Sequence, residues 1–230
     1  MDNNQPIVLI KFQDEPYVKP FYEQGSIYMN PLSYFQTIDD DHIRGDKLEN
    51  STHFLQSHKI STSINKQLVP TVEAIILYNP CDDIDKFTHI FCMSSLCHGD
   101  YLEKDEKIFD ERVFEFGNHL VIIHNLKKFF IQLISSLKQL KKEKKILAYK
   151  TDRINYFDPA NYHGKTDAFD KSARYSWQKE WRVAIRTPPN FSNKPFQFKI
   201  GKLNDISAIL KTNQFKNKVK YYKNKQDLIF

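Results

Sequence analysis

Residues 175–185, YSWQKEWRVAI, hold the signal on which the fold turns. WRVAI is short, apolar and β-branched, the pattern of a buried strand. Yet Lys179, Glu180 and Arg182 crowd its start, and Trp177 and Trp181, both tryptophans of the chain, flank them. In a strand, Glu180 and Arg182 stand two residues apart and share one face. Two readings fit. Glu180 is a carboxylate at the mouth of a sheet, placed to hold a ribose hydroxyl or an oxocarbenium-like centre. Or Glu180 and Arg182 form a structural ion pair, which adds little net stability if buried but is costly to break from one side. The partner expected opposite them is the loop HIRGDKLEN, with Arg44, Asp46 and Glu49. Arg44 has the planar fork that suits phosphate or carboxylate, and Gly45 beside it lets backbone approach a ligand. The plain alternative is a solvated loop of mixed charge.

Further strands are expected on either side. They are IVLIKF (7–12), SIYMN (26–30), 52–60, 67–78, THIFCMSSL (88–96), HLVIIH (119–124), ILAYK (146–150) and PFQFKI (195–200). A helix opens near Asp14 and Pro16 and stops at Gly25 as its C′ residue. Asn125 caps the clearest helix, where Leu126, Phe129, Phe130, Leu133, Ile134, Leu137 and Leu140 recur at helical spacing. Residues 37–50, 100–111 and 156–167 read as loops, 169–175 as a helical turn, and the C-terminus as an αβ piece. The order predicts a single α+β domain over 1–230, with mostly antiparallel mixed sheets and one long amphipathic helix.

Composition narrows the class. The 230 residues are 40% hydrophobic and 14% aromatic, enough for a packed core and against disorder. The net charge of +6 suits anionic partners: nucleotides, nucleic acid or a membrane surface. Lysines cluster at 138–145, and again at Lys216, Lys218, Lys220, Lys223 and Lys225. Cys81, Cys92 and Cys97 are unevenly placed, so no disulfide framework is expected and a cytoplasmic location is the default. No signal peptide or membrane span is visible, so no membrane partner is expected. Only six glycines occur, and no Walker A loop, G-x-G-x-x-G, H-E-x-x-H or G-x-S-x-G is present. Cys92, Cys97 and His98 lack zinc-ligand spacing, so no metal is expected. On the second strand, Tyr28 and Asn30 share a face; with Tyr34 and Phe35 they form either an aromatic wall for a flat ring or ordinary core.

The strings GSIYMNPLSYF, IRGDKLEN, FCMSSLCHGD, FGNHLVIIHN, YSWQKEWRVAI and IGKLNDIS together resemble a bacterial family of unknown function. Its members end in a related E-W-R segment, and some are grouped with abortive-infection proteins. The resemblance spans roughly residues 7–210. It implies a phage-defence or toxin-type effector, with a cognate antitoxin or defence partner. A weaker similarity is to ADP-ribosyltransferases, including DNA-modifying toxins of the DarT kind. It implies NAD as cofactor, a nucleic-acid or protein target, and Glu180 as catalytic carboxylate with Arg182 and Arg44. Tyr28 and Glu180 match its roles in chain order, and the cofactor site expected around them is Tyr28, Asn30, Tyr34, Phe35, Lys11, Asp46 and Glu49. The sequence departs from that pattern on its first strand, which offers Lys11 where a histidine or arginine belongs. The alternative is a non-catalytic nucleic-acid- or partner-binding component.

Overall fold

A computed structural model describes residues 5–38, 43, 53–56, 63–64, 67–68, 75–78, 84–97, 100, 109–191 and 193–221. It is an α+β chain with a mostly antiparallel sheet and several helices. In chain order the elements begin β1 (Pro6–Gln13), α1 (Glu15–Gln24), β2 (Ser26–Pro31) and α2 (Leu32–Gln36). Four short strands follow: β3 (His53–Gln56), β4 (Ser63–Ile64), β5 (Gln67–Leu68) and β6 (Ile75–Tyr78). Then come α3 (Ile84–Phe87), β7 (Thr88–Cys97), β8 (His119–Ile123), α4 (Leu126–Lys142) and β9 (Ala148–Arg153). The chain continues through β10 (Asn155–Phe157), β11 (Gly164–Lys165), β12 (Asp170–Ser172) and β13 (Glu180–Arg186). It ends in β14 (Phe196–Lys199), β15 (Ser207–Lys211) and α5 (Thr212–Tyr221).

The long strand β7 organises the sheet. β13 runs antiparallel along one edge, and β9 pairs beyond it. The other edge is divided: β2 pairs at Ile90 and His89, and β1 takes over from Ser94. The sheet therefore forks, one branch running β1–β8–β15 and the other β2–β14. Lys11 Nζ lies near the fork, donating to the Cys92 carbonyl at 2.8 Å and standing 4.4 Å from the Phe91 ring centroid.

Strand alternation divides the apolar residues between two faces. On one face, Leu9, Met29, Phe91, Met93, Trp181 and Val183 are buried with Phe129, Leu133 and Leu137 of α4. The Asn125 side chain caps α4 by accepting from the Lys128 N–H at 3.1 Å. On the other face, Ile10, Phe12 and Leu96 meet Tyr175, Trp177 and Phe215. A third cluster holds Leu32, Ile90, Ile154, Phe169 and Ala184.

Two sequence expectations change. In the segments read as a loop over 156–167 and a helical turn over 169–175, Asn155–Phe157 and Asp170–Ser172 form the parallel pair β10–β12, and a 3₁₀ turn over Ala173–Gln178 follows. The C-terminal piece is strand then helix, because the Ser207–Lys211 segment pairs with β8. Of the strand expected over 67–78, Gln67–Leu68 and Ile75–Tyr78 are strand, and the residues between them lie outside the described residues.

Gly25 caps α1 at φ +61°, and a Cβ there would collide with the Gly201 carbonyl oxygen. Gly25→Ala is expected to lower stability by more than about 1 kcal/mol, since it meets both a left-handed φ and backbone. Urea denaturation measures this, and an unchanged midpoint would contradict the packing.

Candidate functional site

The quoted segment sits where the two faces diverge. Trp181 points toward α4, with its ring 5.5 Å from Phe130 and 6.3 Å from Phe129. Trp177 belongs to the opposite cluster, stacked on Phe116 at 5.7 Å with Arg112 over its ring at 4.4 Å. The two tryptophans fasten the segment on both sides of the sheet. Between them Lys179 takes a left-handed turn at φ 46°. Its carbonyl accepts from the Ser95 N–H at 2.7 Å and the Ser95 hydroxyl at 2.8 Å. Its ammonium pairs with Asp100 at 3.0 Å, and Asp100 also takes Arg153 at 3.3 Å.

Glu180 and Arg182 lie opposite Ser94 and Cys92 of β7. They share the face of Ala184 and Ile90, away from α4. Both are buried, at 5% and 0% exposure. Arg182 Nε donates to Glu180 Oε1 at 2.7 Å. The other oxygen, Oε2, accepts from Lys171 Nζ at 3.1 Å, and Lys171 is itself only 4% exposed. Lys171 also donates to Gln178 Oε1 at 2.9 Å, and Arg182 Nη1 donates to the Ala168 carbonyl. The Glu180 N–H donates to the Tyr156 hydroxyl at 2.9 Å. One carboxylate thus serves two buried cations. Each charge has the partners that burial demands.

The electrostatics follow. Burial pushes the Glu180 carboxyl up, but attraction by Arg182 and Lys171, with hydrogen bonds from Arg182 and Cys92, outweighs it. The carboxyl is held well below its usual range. Burial, then the Glu180 charge, push the Tyr156 hydroxyl above the ordinary tyrosine range.

Of the residues singled out from sequence, the structure brings Glu180 and Arg182 into direct contact. Phe35 packs against the cluster of Leu32, Ile90 and Ala184 on the same face as that pair. Tyr28 is exposed and Asn30 half-buried, both turned away from the Ile27 and Met29 face. Tyr34 is exposed, edge-on to Phe35 at 5.5 Å. Lys11 follows the alternation of Leu9 and lies on the α4 side, across the sheet from Glu180. Arg44, Asp46 and Glu49 lie outside the described residues. The Ile43 carbonyl, one residue before Arg44, accepts from Gln178 Nε2 at 2.9 Å, so the chain reaches the ionic centre there. The sequence left Lys171, Gln178 and Tyr156 unassigned. Gln178 stands two residues before Glu180 in sequence, whereas Tyr156 and Lys171 sit opposite each other in the β10–β12 pair, which no local pattern reveals.

A second charged feature lies on the outer face of α4. Lys127, Lys128, Lys138, Lys141, Lys142, Lys144 and Lys145 are all exposed. Glu143 is the lone carboxylate from 126 to 147, and it pairs with Lys145 at 2.8 Å. None of the other six lysines has an ion-pair partner among the described residues. Lys128, Ile131, Ser135, Lys138 and Lys142 recur at intervals of three or four and so form one stripe, about 21 Å long at the helical rise. In the C-terminal cluster, Lys216 is paired with Glu111 at 3.3 Å.

Among the described residues no group of three or more His, Cys, Asp or Glu stands ready for a metal ion. No described helix is long and apolar enough to cross a membrane. No protein-family model matches the chain, and no curated protein or solved structure matches it either.

Proposed function

We propose that the chain is a nucleic-acid-binding protein whose phosphate-contacting surface is the outer face of α4. The observation that carries this reading is the lysine stripe. Seven exposed lysines on and just beyond one helix, against one carboxylate, make a strongly positive ridge. Such a ridge attracts a polyanion through release of its counterions. Among the described residues only Lys145 of the seven has a carboxylate partner, whereas Lys171, Lys179 and Lys216 elsewhere are each paired. The resemblance to abortive-infection proteins fits this role in the cytoplasm, as a component of a defence or toxin–antitoxin system.

The NAD-dependent reading implied by the weaker resemblance rests on Glu180. It requires a ribose hydroxyl to displace Arg182 or Lys171 from a carboxylate whose two oxygens they occupy. The test is fluorescence anisotropy of a labelled single-stranded oligonucleotide, with nicotinamide release from NAD measured on the same protein. Binding at low salt without nicotinamide release is the expected result. Absence of binding would overturn the proposal, and nicotinamide release by the unmodified protein would favour the NAD-dependent reading.

A further inference from the structure

The sheet ends at β9, and no described strand pairs with its outer edge. The hydrogen bonds around β13 decide which backbone groups that edge presents. The Ser95 N–H donates to the Lys179 carbonyl, and the Thr187 N–H to the Phe87 carbonyl. The odd-numbered residues of β13 therefore face β7 and the even-numbered ones face β9. The Ile154 N–H accordingly donates to the Glu180 carbonyl at 2.9 Å. Ala148, Lys150 and Asp152 thus bond to β13, while Tyr149, Thr151 and Arg153 turn their N–H and C=O groups outward. Asp152 Oδ1 accepts from the outward Arg153 N–H at 2.9 Å. The outward groups of Tyr149 and Thr151 have no hydrogen-bond partner among the described residues.

An open edge of this kind is a template for another strand, and its side chains select which. Lys150 and Asp152 share one face of β9 and are exposed; Tyr149 and Arg153 share the other and are half-buried. A second β9 laid antiparallel about Thr151 pairs that residue with its own counterpart through two hydrogen bonds. Lys150 then stands opposite Asp152 of the second copy, twice by two-fold symmetry, in the closely spaced type of pair. A shift by two residues either way sets Lys150 against Lys150 or Asp152 against Asp152, so the charges choose one register. Lys150 is free to turn, because its pairing with Asp167 at 3.5 Å is an exposed one. The edge strands β14 and β15 hold lysine and no carboxylate, so neither complements itself. We propose that the chain forms a two-fold dimer through β9, with one sheet continuous across both copies. This goes beyond the nucleic-acid reading and does not depend on it.

The test is sedimentation equilibrium over a concentration series, without nucleic acid. Thr151→Pro removes an outward N–H that β13 does not use, so each copy keeps its fold. Lys150→Glu and Asp152→Lys each set like charges against one another twice, and the double exchange restores opposite charges. The unmodified protein and the double exchange are expected to sediment as dimers. Each single charge variant should associate about tenfold more weakly, and Thr151→Pro should be a monomer. A monomer at every concentration for the unmodified protein would overturn the proposal. So would a dimer that the variants leave equally strong, or a double exchange as weak as the single ones. Circular dichroism checks the fold of each variant, and if Thr151→Pro does not fold the charge exchange decides. No variant touches the α4 lysines, so oligonucleotide binding tests the earlier reading separately.

Discussion

Glu180→Gln is expected to destabilise the protein by about 3–5 kcal/mol, the penalty for leaving buried charge uncompensated. Glutamine keeps the shape but removes the charge that neutralises Arg182 and Lys171, which are 0% and 4% exposed. The glutamine amide keeps one acceptor oxygen, enough for Arg182 or Lys171 but not both, and turns an NH2 donor toward the other cation. A combined Glu180→Leu, Arg182→Met, Lys171→Met variant should recover much of the loss, since apolar replacement of a whole buried ionic cluster is often neutral or better. The pH dependence carries the same signature. The folded Glu180 carboxyl titrates below its unfolded value, so below about pH 4.3 the unfolded chain binds the extra proton. Its contribution is therefore complete above that pH and is lost progressively as the pH falls toward the folded value. Chemical denaturation of wild type and Glu180→Gln at neutral and acid pH measures this. A difference that stays constant across that range would contradict the ionic centre. The size of the expected effect also bears on function: lost activity in a Glu180 variant reports folding as readily as chemistry.

The triple variant Lys128→Glu, Lys138→Glu, Lys142→Glu should fold normally and lose oligonucleotide affinity by about a hundredfold or more at low salt. All three side chains are exposed and lack ion-pair partners among the described residues, so substitution touches no buried contact. Each phosphate contact on a single strand contributes about 0.7 to the slope of log affinity against log salt, so the triple variant should flatten that slope by about 2. An equal number of reversals elsewhere, at Lys19, Lys165 and Lys194, gives the control for net charge. If both triple variants lose affinity alike, the binding is diffuse and the α4 surface has no special part in it.

What the sequence made legible follows from how local each signal is. The 180–186 strand is visible in WRVAI because a short apolar, β-branched run is a signal carried by neighbouring residues alone. The helix over Leu126–Lys142 is visible in the recurrence of Phe129, Leu133 and Leu137, the three residues it buries most fully. Gly25 is legible because few other residues accept its φ. Partners brought together across the chain were not. Lys171 reaches Glu180 through the parallel β10–β12 pairing, two three-residue strands too short and polar to show a period. The fork of β7 is a matter of register rather than composition, and Lys11 lies across the sheet from Glu180 by the alternation it shares with Leu9. The crowding of Lys179, Glu180 and Arg182 is explained by three separate pairings: Asp100 for Lys179, and each other, with Lys171, for the remaining two.

The central claim, that the outer face of α4 holds nucleic acid by its phosphates, is tested most directly by the affinity of the unmodified protein for a single-stranded oligonucleotide at rising salt. About five lysine–phosphate contacts predict a slope near −3.5, or roughly a hundredfold loss between about 50 and 200 mM salt. An affinity that stays flat over that range would contradict the claim.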